Sequence, residues 1–232
     1  MKFSFKSFSL ACVVAVVLTA CGGGGSDSPA GGPPLVVDAE GDSAFDATAL
    51  GTTLAALSVQ SLSAAESTSL TFMREEEKLA QDVYTQLATV WGSQSRVFGN
   101  IARSEATHTE AVRQLLMRYS LPDPAATLTP GLFQNTTLQG LYTELVAAGT
   151  PALMEALKVG AAIEEIDMID LNRALLEIDN PDIVLVYQNL LKGSRNHLRA
   201  FVNALAAQGV TYAPQYMTAA DYQAIISTPT ER

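Results

Sequence analysis

Cysteine, histidine and basic side chains are all scarce in this 232-residue chain, and each scarcity narrows what it can do. Its two cysteines, Cys12 and Cys21, lie near the N-terminus, so no disulfide framework and no Cys-x-x-Cys electron-transfer pair can form. Lysine and arginine number 14 against 24 acids, a net charge of −10. That balance leaves no basic footprint for phosphates and argues against a nucleic-acid partner. It suits cations and solubility without selecting a partner. Strand-like alternation is also missing, apart from a weak candidate at Leu35 to Val37, and no internal repeat of fixed period is present. What the chain does have is 48% apolar residues, ample for a hydrophobic core in one domain or two.

The N-terminus has its own character. Lys2 and Lys6 precede an unbroken apolar run from Leu10 to Val17, and small residues follow. That order reads as a secretory signal peptide, too short to span a bilayer comfortably and correctly flanked for cleavage. Leu18-Thr19-Ala20-Cys21 resembles the lipobox of bacterial lipoproteins. The resemblance implies loss of residues 1–20, acylation of the Cys21 thiol and anchorage in a membrane. Gly22 after the cysteine resembles the outer-membrane sorting pattern, so an exported protein facing the periplasm or the cell surface is expected. Cys12 leaves with the leader, and Cys21 is then alone.

Residues 21–62 are expected to be a tether and lead-in. CGGGGSDSPAGGPP has no side chains from which to build a core. Leu35 to Leu62 is moderately apolar without sustained periodicity, and either lies along the domain or prolongs the tether. From Ser63 the pattern is helical, and residues 63–228 are expected to form the domain. Ser63-Ala-Ala-Glu66 is a capping box that opens a helix running to about Trp91, where Gly92 and Ser93 stop it. A second helix is expected from about Ser95 to Tyr119, and a third begins near Pro151. The fourth runs from Asn180-Pro181 to Gly209. Short helical pieces are expected at Leu138 to Ala148 and after Tyr212. Long helices of this kind pack as an all-α four-helix bundle. The stretch from Leu121 to Thr150 makes one long crossover between the second and third, a ferritin-like arrangement rather than a simple up-and-down one.

Each of the four apolar stripes is interrupted by polar residues near its midpoint. In the second helix, Phe98, Ile101, Glu105, His108, Val112 and Leu115 follow the three-four spacing without a break. In the third, Leu157, Ala161, Glu164, Met168 and Leu171 do the same, with Asp167 adjoining. In the fourth, Tyr187, Leu190, Ser194, His197 and Phe201 repeat it. In the first, Met73, Ala80 and Tyr84 leave Glu76 or Glu77 facing inward, and the spacing does not decide which. Midpoints of antiparallel helices lie at one height, so these groups converge. Buried carboxylates repel one another and cost several kcal/mol each to desolvate. A bound cation offsets that cost. Glu77, Glu105, His108, Glu164, Asp167 and His197 supply four carboxylates and two imidazoles, which matches a di-iron or di-manganese carboxylate site. Taken singly, each residue has a plainer explanation: a hydrogen-bonded core histidine, a chance Glu-x-x-His, or Asp167 pairing with Arg173. The convergence of all of them favours metal.

These residues also carry a family resemblance. Glu77-x-x-Ala80-x-x-x-Tyr84 resembles the first-helix pattern of ferritins and rubrerythrins, and Glu105-x-x-His108 resembles their second-helix motif. Ala161-Ala162-Ile163-Glu164-x-x-Asp167 resembles the third-helix carboxylate pair of rubrerythrins. The stretches MREEEKLAQDVY, FGNIARSEATH, GAAIEEIDMIDL and GSRNHLRAF together resemble an uncharacterised, often secreted, prokaryotic ferritin-like family, over about Ser63 to Gln208. The resemblance implies a ferritin-like fold and a metal site with Glu77 as a ligand. Iron is the expected metal, with manganese and zinc as alternatives, and iron oxidation or reduction of peroxide or O₂ the expected chemistry. One position departs from the pattern: the fourth helix normally carries a second Glu-x-x-His, and here its acid is Ser194. Either Asp167 restores the ligand from the facing helix or one metal is weakly held. The competing expectation is a helical binding module whose polar core is structural.

Overall fold

A computed structural model of the chain describes residues 34–38 and 42–232. The signal peptide, Cys21 and the glycine-rich tether fall outside those residues. The described part is mostly helical, with seven helices and one two-stranded sheet. No helix among the described residues is long and apolar enough to cross a membrane.

The described residues between Leu35 and Leu62 lie along the helices. Strand β1 (Leu35–Val37) pairs antiparallel with β2 (Ser43–Phe45), with Leu35 opposite Phe45. Helix α1 (Ala47–Ala56) follows at once, its first turn capped by Asp46, whose carboxylate accepts from the Thr48 and Ala49 amides. Only Leu50 and Leu54 of α1 are buried, too short a stripe to register as periodicity.

The long helices match the pattern of their sequence closely. Helix α2 (Ala64–Trp91) opens on the Ser63–Glu66 capping box, with both reciprocal hydrogen bonds formed. Helix α3 covers Val97–Arg118, α4 Thr136–Gly149, α5 Leu153–Ala174, and α6 Pro181–Ala207. Pro181 occupies the first turn of α6, where its missing N–H costs nothing. Gly209 ends it at φ +74°, and the Val210 amide turns back onto the Leu205 carbonyl. Helix α7 (Ala219–Ile226) is the short C-terminal piece.

Helix α2 packs on α3 and α5 on α6, and the pairs join through α2–α5 and α3–α6 contacts. Cross-contacts fix the directions. Phe98 meets Phe201 at one end of α3–α6 while Arg118 meets Asp182 at the other, so those helices are antiparallel. The Tyr84 hydroxyl reaches the Gly160 carbonyl, whereas Glu76 lies by Asp170, so α2 and α5 are antiparallel too. Helices α3 and α5 therefore run the same way, and the chain between them must travel back along the helices. Helix α4 occupies that return, seated against α2 and α5. Glu75 of α2 holds its start by accepting from the Gln134 and Asn135 amides. Apolar layers close both ends of the interior: Leu87, Phe98 and Phe201 at one, Leu70, Leu171 and Ile183 at the other. Polar side chains fill the waist between them.

Candidate metal centre

Glu105 of α3 stands in the middle of the waist. Its Oε2 lies 2.9 Å from His108 Nδ1 and its Oε1 2.8 Å from His197 Nδ1. Glu77 approaches His108 Nδ1 from α2 at 3.5 Å, and Glu164 approaches His197 Nδ1 from α5 at 3.6 Å. The two imidazoles stack with centroids 5.3 Å apart. The cluster thus has two lobes sharing one carboxylate, Glu77–His108–Glu105 and Glu105–His197–Glu164. Ligand atoms of Glu105, His108 and His197 all fall within 4.8 Å of one another.

Local sequence explains the placement. Residues three apart share a helix face, which puts Glu105 beside His108 and Glu164 beside Asp167. Gly193 lets the His108 ring lie against α6, since a Cβ there would stand 2.6 Å from His108 Cε1. The neighbouring candidates sort as follows. The Tyr84 hydroxyl donates to Glu164 Oε1 at 2.6 Å and orients that carboxylate. Ser194, standing where an acid was expected, donates its proton to Asp167 Oδ2. Arg173 pairs with Asp170, not with Asp167. Of the two adjacent glutamates, Glu77 faces the histidines, and Glu76 turns toward Asp170 and Asp167.

A neutral Nδ1 lone pair and a carboxylate oxygen at 2.8–2.9 Å repel unless a positive charge lies between them. A proton or a cation can supply it. Burial alone would lower His197, but Glu105 and Glu164 outweigh it and raise the imidazole to about 9. His108 too is raised well above the ordinary range, against its burial, by Glu105 and Glu77. Burial would raise Glu105, yet the two imidazoles hold it below the ordinary carboxylate range. The outer acids move the other way. Burial, with Glu105 nearby, lifts Glu77 to about 7; burial and neighbouring acids raise Glu76 and Asp167 well above normal. Glu164 rises from burial as well.

Several buried atoms are left over. Glu76 Oε2, Glu77 Oε1 and Asp167 Oδ1 have no hydrogen-bond partner, and His197 Nδ1 makes no aligned bond despite its short contact. A cavity of about 10 Å³ lies among Glu76, Glu77, Glu105, Glu164 and Asp167. That is room for roughly one water-sized sphere. Orphaned carboxylate oxygens around a small void, with two imidazoles beside them, form an O/N donor set suited to iron, manganese or zinc. The other buried acids are spoken for. Glu66 caps α2, Glu75 holds α4, Asp182 binds Arg118 and Tyr119, and Glu165 collects the Tyr212 hydroxyl and the amides of residues 215–217.

The profile of the family described as Uncharacterized protein domain (DUF2202) matches residues 66–229. The chain belongs to that family. Uncharacterized protein MJ0754 of Methanocaldococcus jannaschii is 48% identical over 179 residues, 77% of this chain and 96% of the relative. The crystal structure of hypothetical protein MJ0754 from Methanococcus jannaschii is similar with a TM-score of 0.73 and 47% identity, over 76% of this chain and 99% of that one.

All six principal candidates, Glu77 to His197, lie within the DUF2202 match, but the cluster also draws on residues that the helical pattern did not mark. Ser43 Oγ of β2 lies 3.2 Å from His108 Nε2 and 3.0 Å from His197 Nε2. Ser104 Oγ lies 2.9 Å from His197 Nε2 and 3.1 Å from Ser43 Oγ. Ser104 was within reach of sequence reasoning, one turn before His108 on the same face. Ser43 had no such signal, for it sits in a three-residue strand and precedes the DUF2202 match.

Proposed function

We propose that this DUF2202 chain is a ferritin-like metal protein whose four long helices hold a two-lobed carboxylate–histidine centre. The directions of α2, α3, α5 and α6, with α4 in the return between α3 and α5, support a ferritin-like bundle with one long crossover. The observation that carries the metal is Glu105 set between two histidine Nδ1 atoms, with unpartnered oxygens of Glu77 and Asp167 beside them. Glu77, Glu105 and His108 would hold one ion, and Glu105, Glu164 and His197 the other. Asp167 completes the set in place of the missing acid at Ser194. Iron is the favoured metal, and when bound it would supply the redox change for oxidising ferrous iron or reducing O₂ or peroxide. The chain's own part is to bind, orient and exclude water: Tyr84 fixes Glu164, Ser194 fixes Asp167, and the apolar end layers seal the waist.

Loading the full-length protein with ferrous iron, manganese or zinc and measuring bound metal tests the centre. One to two ions per chain are expected, with a raised melting temperature. Less than about 0.2 equivalent of every metal, with unchanged melting, overturns the proposal in favour of an interaction module with a structural polar core. If iron binds but neither O₂ nor peroxide alters its absorption, the redox chemistry fails and metal binding stands.

The lipobox-like Leu18 to Cys21 supports a lipid-anchored, exported protein, expected at the outer membrane. In a Gram-negative host, Cys21→Ala is expected to move the protein from the membrane fraction to the soluble fraction. Retention in the membrane fraction would rule the anchor out.

A further inference from the structure

We infer that Ser43, brought in by the β1–β2 hairpin from outside the long helices, is a positioning residue for both histidines of the centre. The inference rests on the proposed metal reading and names a part of the site that the four helices do not provide. Two imidazoles present their Nε2 atoms to one fully buried hydroxyl, from α3 and from α6. A serine hydroxyl has one proton to give and two lone pairs with which to accept. The neighbouring contacts decide how these are used. Ser104 donates its proton to the Ser43 carbonyl, so its oxygen is left to accept the proton of Ser43 across 3.1 Å. Both lone pairs of Ser43 Oγ are then free to accept Nε2–H from His108 and His197, with Ser104 Oγ sharing the second.

One assignment gives both serine hydroxyls and the Ser43 carbonyl their partners and protonates both histidines on Nε2. Their Nδ1 atoms, the ones facing Glu105, are left with lone pairs for a cation. The hydrogen bond on one imidazole nitrogen sets the tautomer, the ring orientation and the basicity of the other. The hairpin is itself held in register from the same helix. The Phe45 amide donates to Thr107 Oγ1 at 2.9 Å, and the Phe45 ring meets His108 edge-on with centroids 5.7 Å apart. Within the Ser104-Glu105-Ala106-Thr107-His108 stretch, Ser104 and Thr107 therefore hold the hairpin, while Glu105 and His108 face the centre. Gly193 completes the seat, since a Cβ on it would lie 2.8 Å from Ser43 Oγ.

The test uses full-length wild type, Ser43→Ala and Ser104→Ala, each checked for helix content, with zinc as a diamagnetic probe and nitrogen-15 NMR of the imidazoles. In wild type, two slowly exchanging Nε2–H signals are expected. Ser43→Ala should lose or shift both and weaken zinc binding by about 10–100-fold, as loss of a histidine's outer partner does. Ser104→Ala should move the His197 signal and spare that of His108. Helix content shows whether each variant folds, and the residue-by-residue pattern is one that general loosening would not give. Unchanged Nε2–H signals in a folded Ser43→Ala, or zinc affinity within twofold of wild type, would overturn the inference. If wild type binds neither zinc nor ferrous iron nor manganese, the metal reading fails on its own. The Nε2–H pattern of the metal-free variants then decides whether Ser43 positions the rings.

Discussion

Glu105→Ala is expected to abolish metal binding at both lobes, leaving less than about a tenth of wild-type occupancy after loading, because among the described residues no other carboxylate reaches the Nδ1 atoms of both imidazoles. Glu77 reaches only His108 and Glu164 only His197, so Glu77→Ala and Glu164→Ala should each spare the opposite lobe. The stoichiometries of the three variants therefore differ. Glu105→Ala would also remove the stabilisation expected of bound metal, about 4 kcal/mol at a thousandfold excess over the dissociation constant. For a chain of this size that is roughly 10 °C in melting temperature. Glu165→Ala is the control. It is equally buried, but its carboxylate serves the Tyr212 hydroxyl and the amides of residues 215–217, away from the imidazoles. It should lower stability with or without metal and leave the occupancy of the folded protein unchanged. Full occupancy in Glu105→Ala, measured by elemental analysis, would show that the ligand set is wrong.

How much of this could be read from the sequence depends on whether the information was local. The four long helices and the two short ones were legible because their caps and stripes repeat within a few residues, as at Ser63–Glu66 and Phe98 to Leu115. The waist was legible for the same reason, since a charge inside an unbroken apolar stripe is conspicuous. Helix α1 was not, because two buried leucines in ten residues make no stripe and Gly51, Thr52 and Thr53 are poor helix formers. Periodicity also failed to separate Glu76 from Glu77. Adjacent positions lie 100° apart, and here both are buried, one toward Asp170 and the other toward His108. Glu66, Glu75 and Glu165 are as buried as the acids of the centre, yet what distinguishes them is the loop amides they bind, which no helical pattern contains. Ser43 is the extreme case. Its partners stand 61 to 154 residues away, so only the folded chain reveals it.

Without metal, the protein is expected to be most stable near pH 5 and to lose stability steadily as the pH rises to 9. Glu77 sets the first part of the fall. Its folded value of about 7 lies above the ordinary 4.5, so the folded state keeps a proton that the unfolded state releases between those values. The cost of holding it charged grows from pH 4.5 and is complete above 7, on the order of 3 kcal/mol. His197 continues the fall. Its stabilisation by Glu105 and Glu164 is fully present below 6.5 and is lost as the pH rises through about 9. Glu76, Glu164 and Asp167, all raised, add to the same slope. Glu105 acts oppositely: held below the ordinary range, it stabilises above pH 4.5 and ceases to as acid protonates it. A drop of roughly 10 °C or more in melting temperature between pH 5 and 9 follows from the first two groups alone. Bound metal is expected to oppose the trend, because it would replace the protons at Glu77 and at both Nδ1 atoms and so bind more tightly as they leave. The gap between metal-loaded and metal-free melting temperatures should therefore widen from pH 5 to pH 8, and metal addition should release protons measurable in weak buffer. A flat metal-free profile would mean that the waist does not hold the protons its geometry demands. A gap that narrows with pH would mean that the cation binds somewhere other than between Glu105 and the two imidazoles.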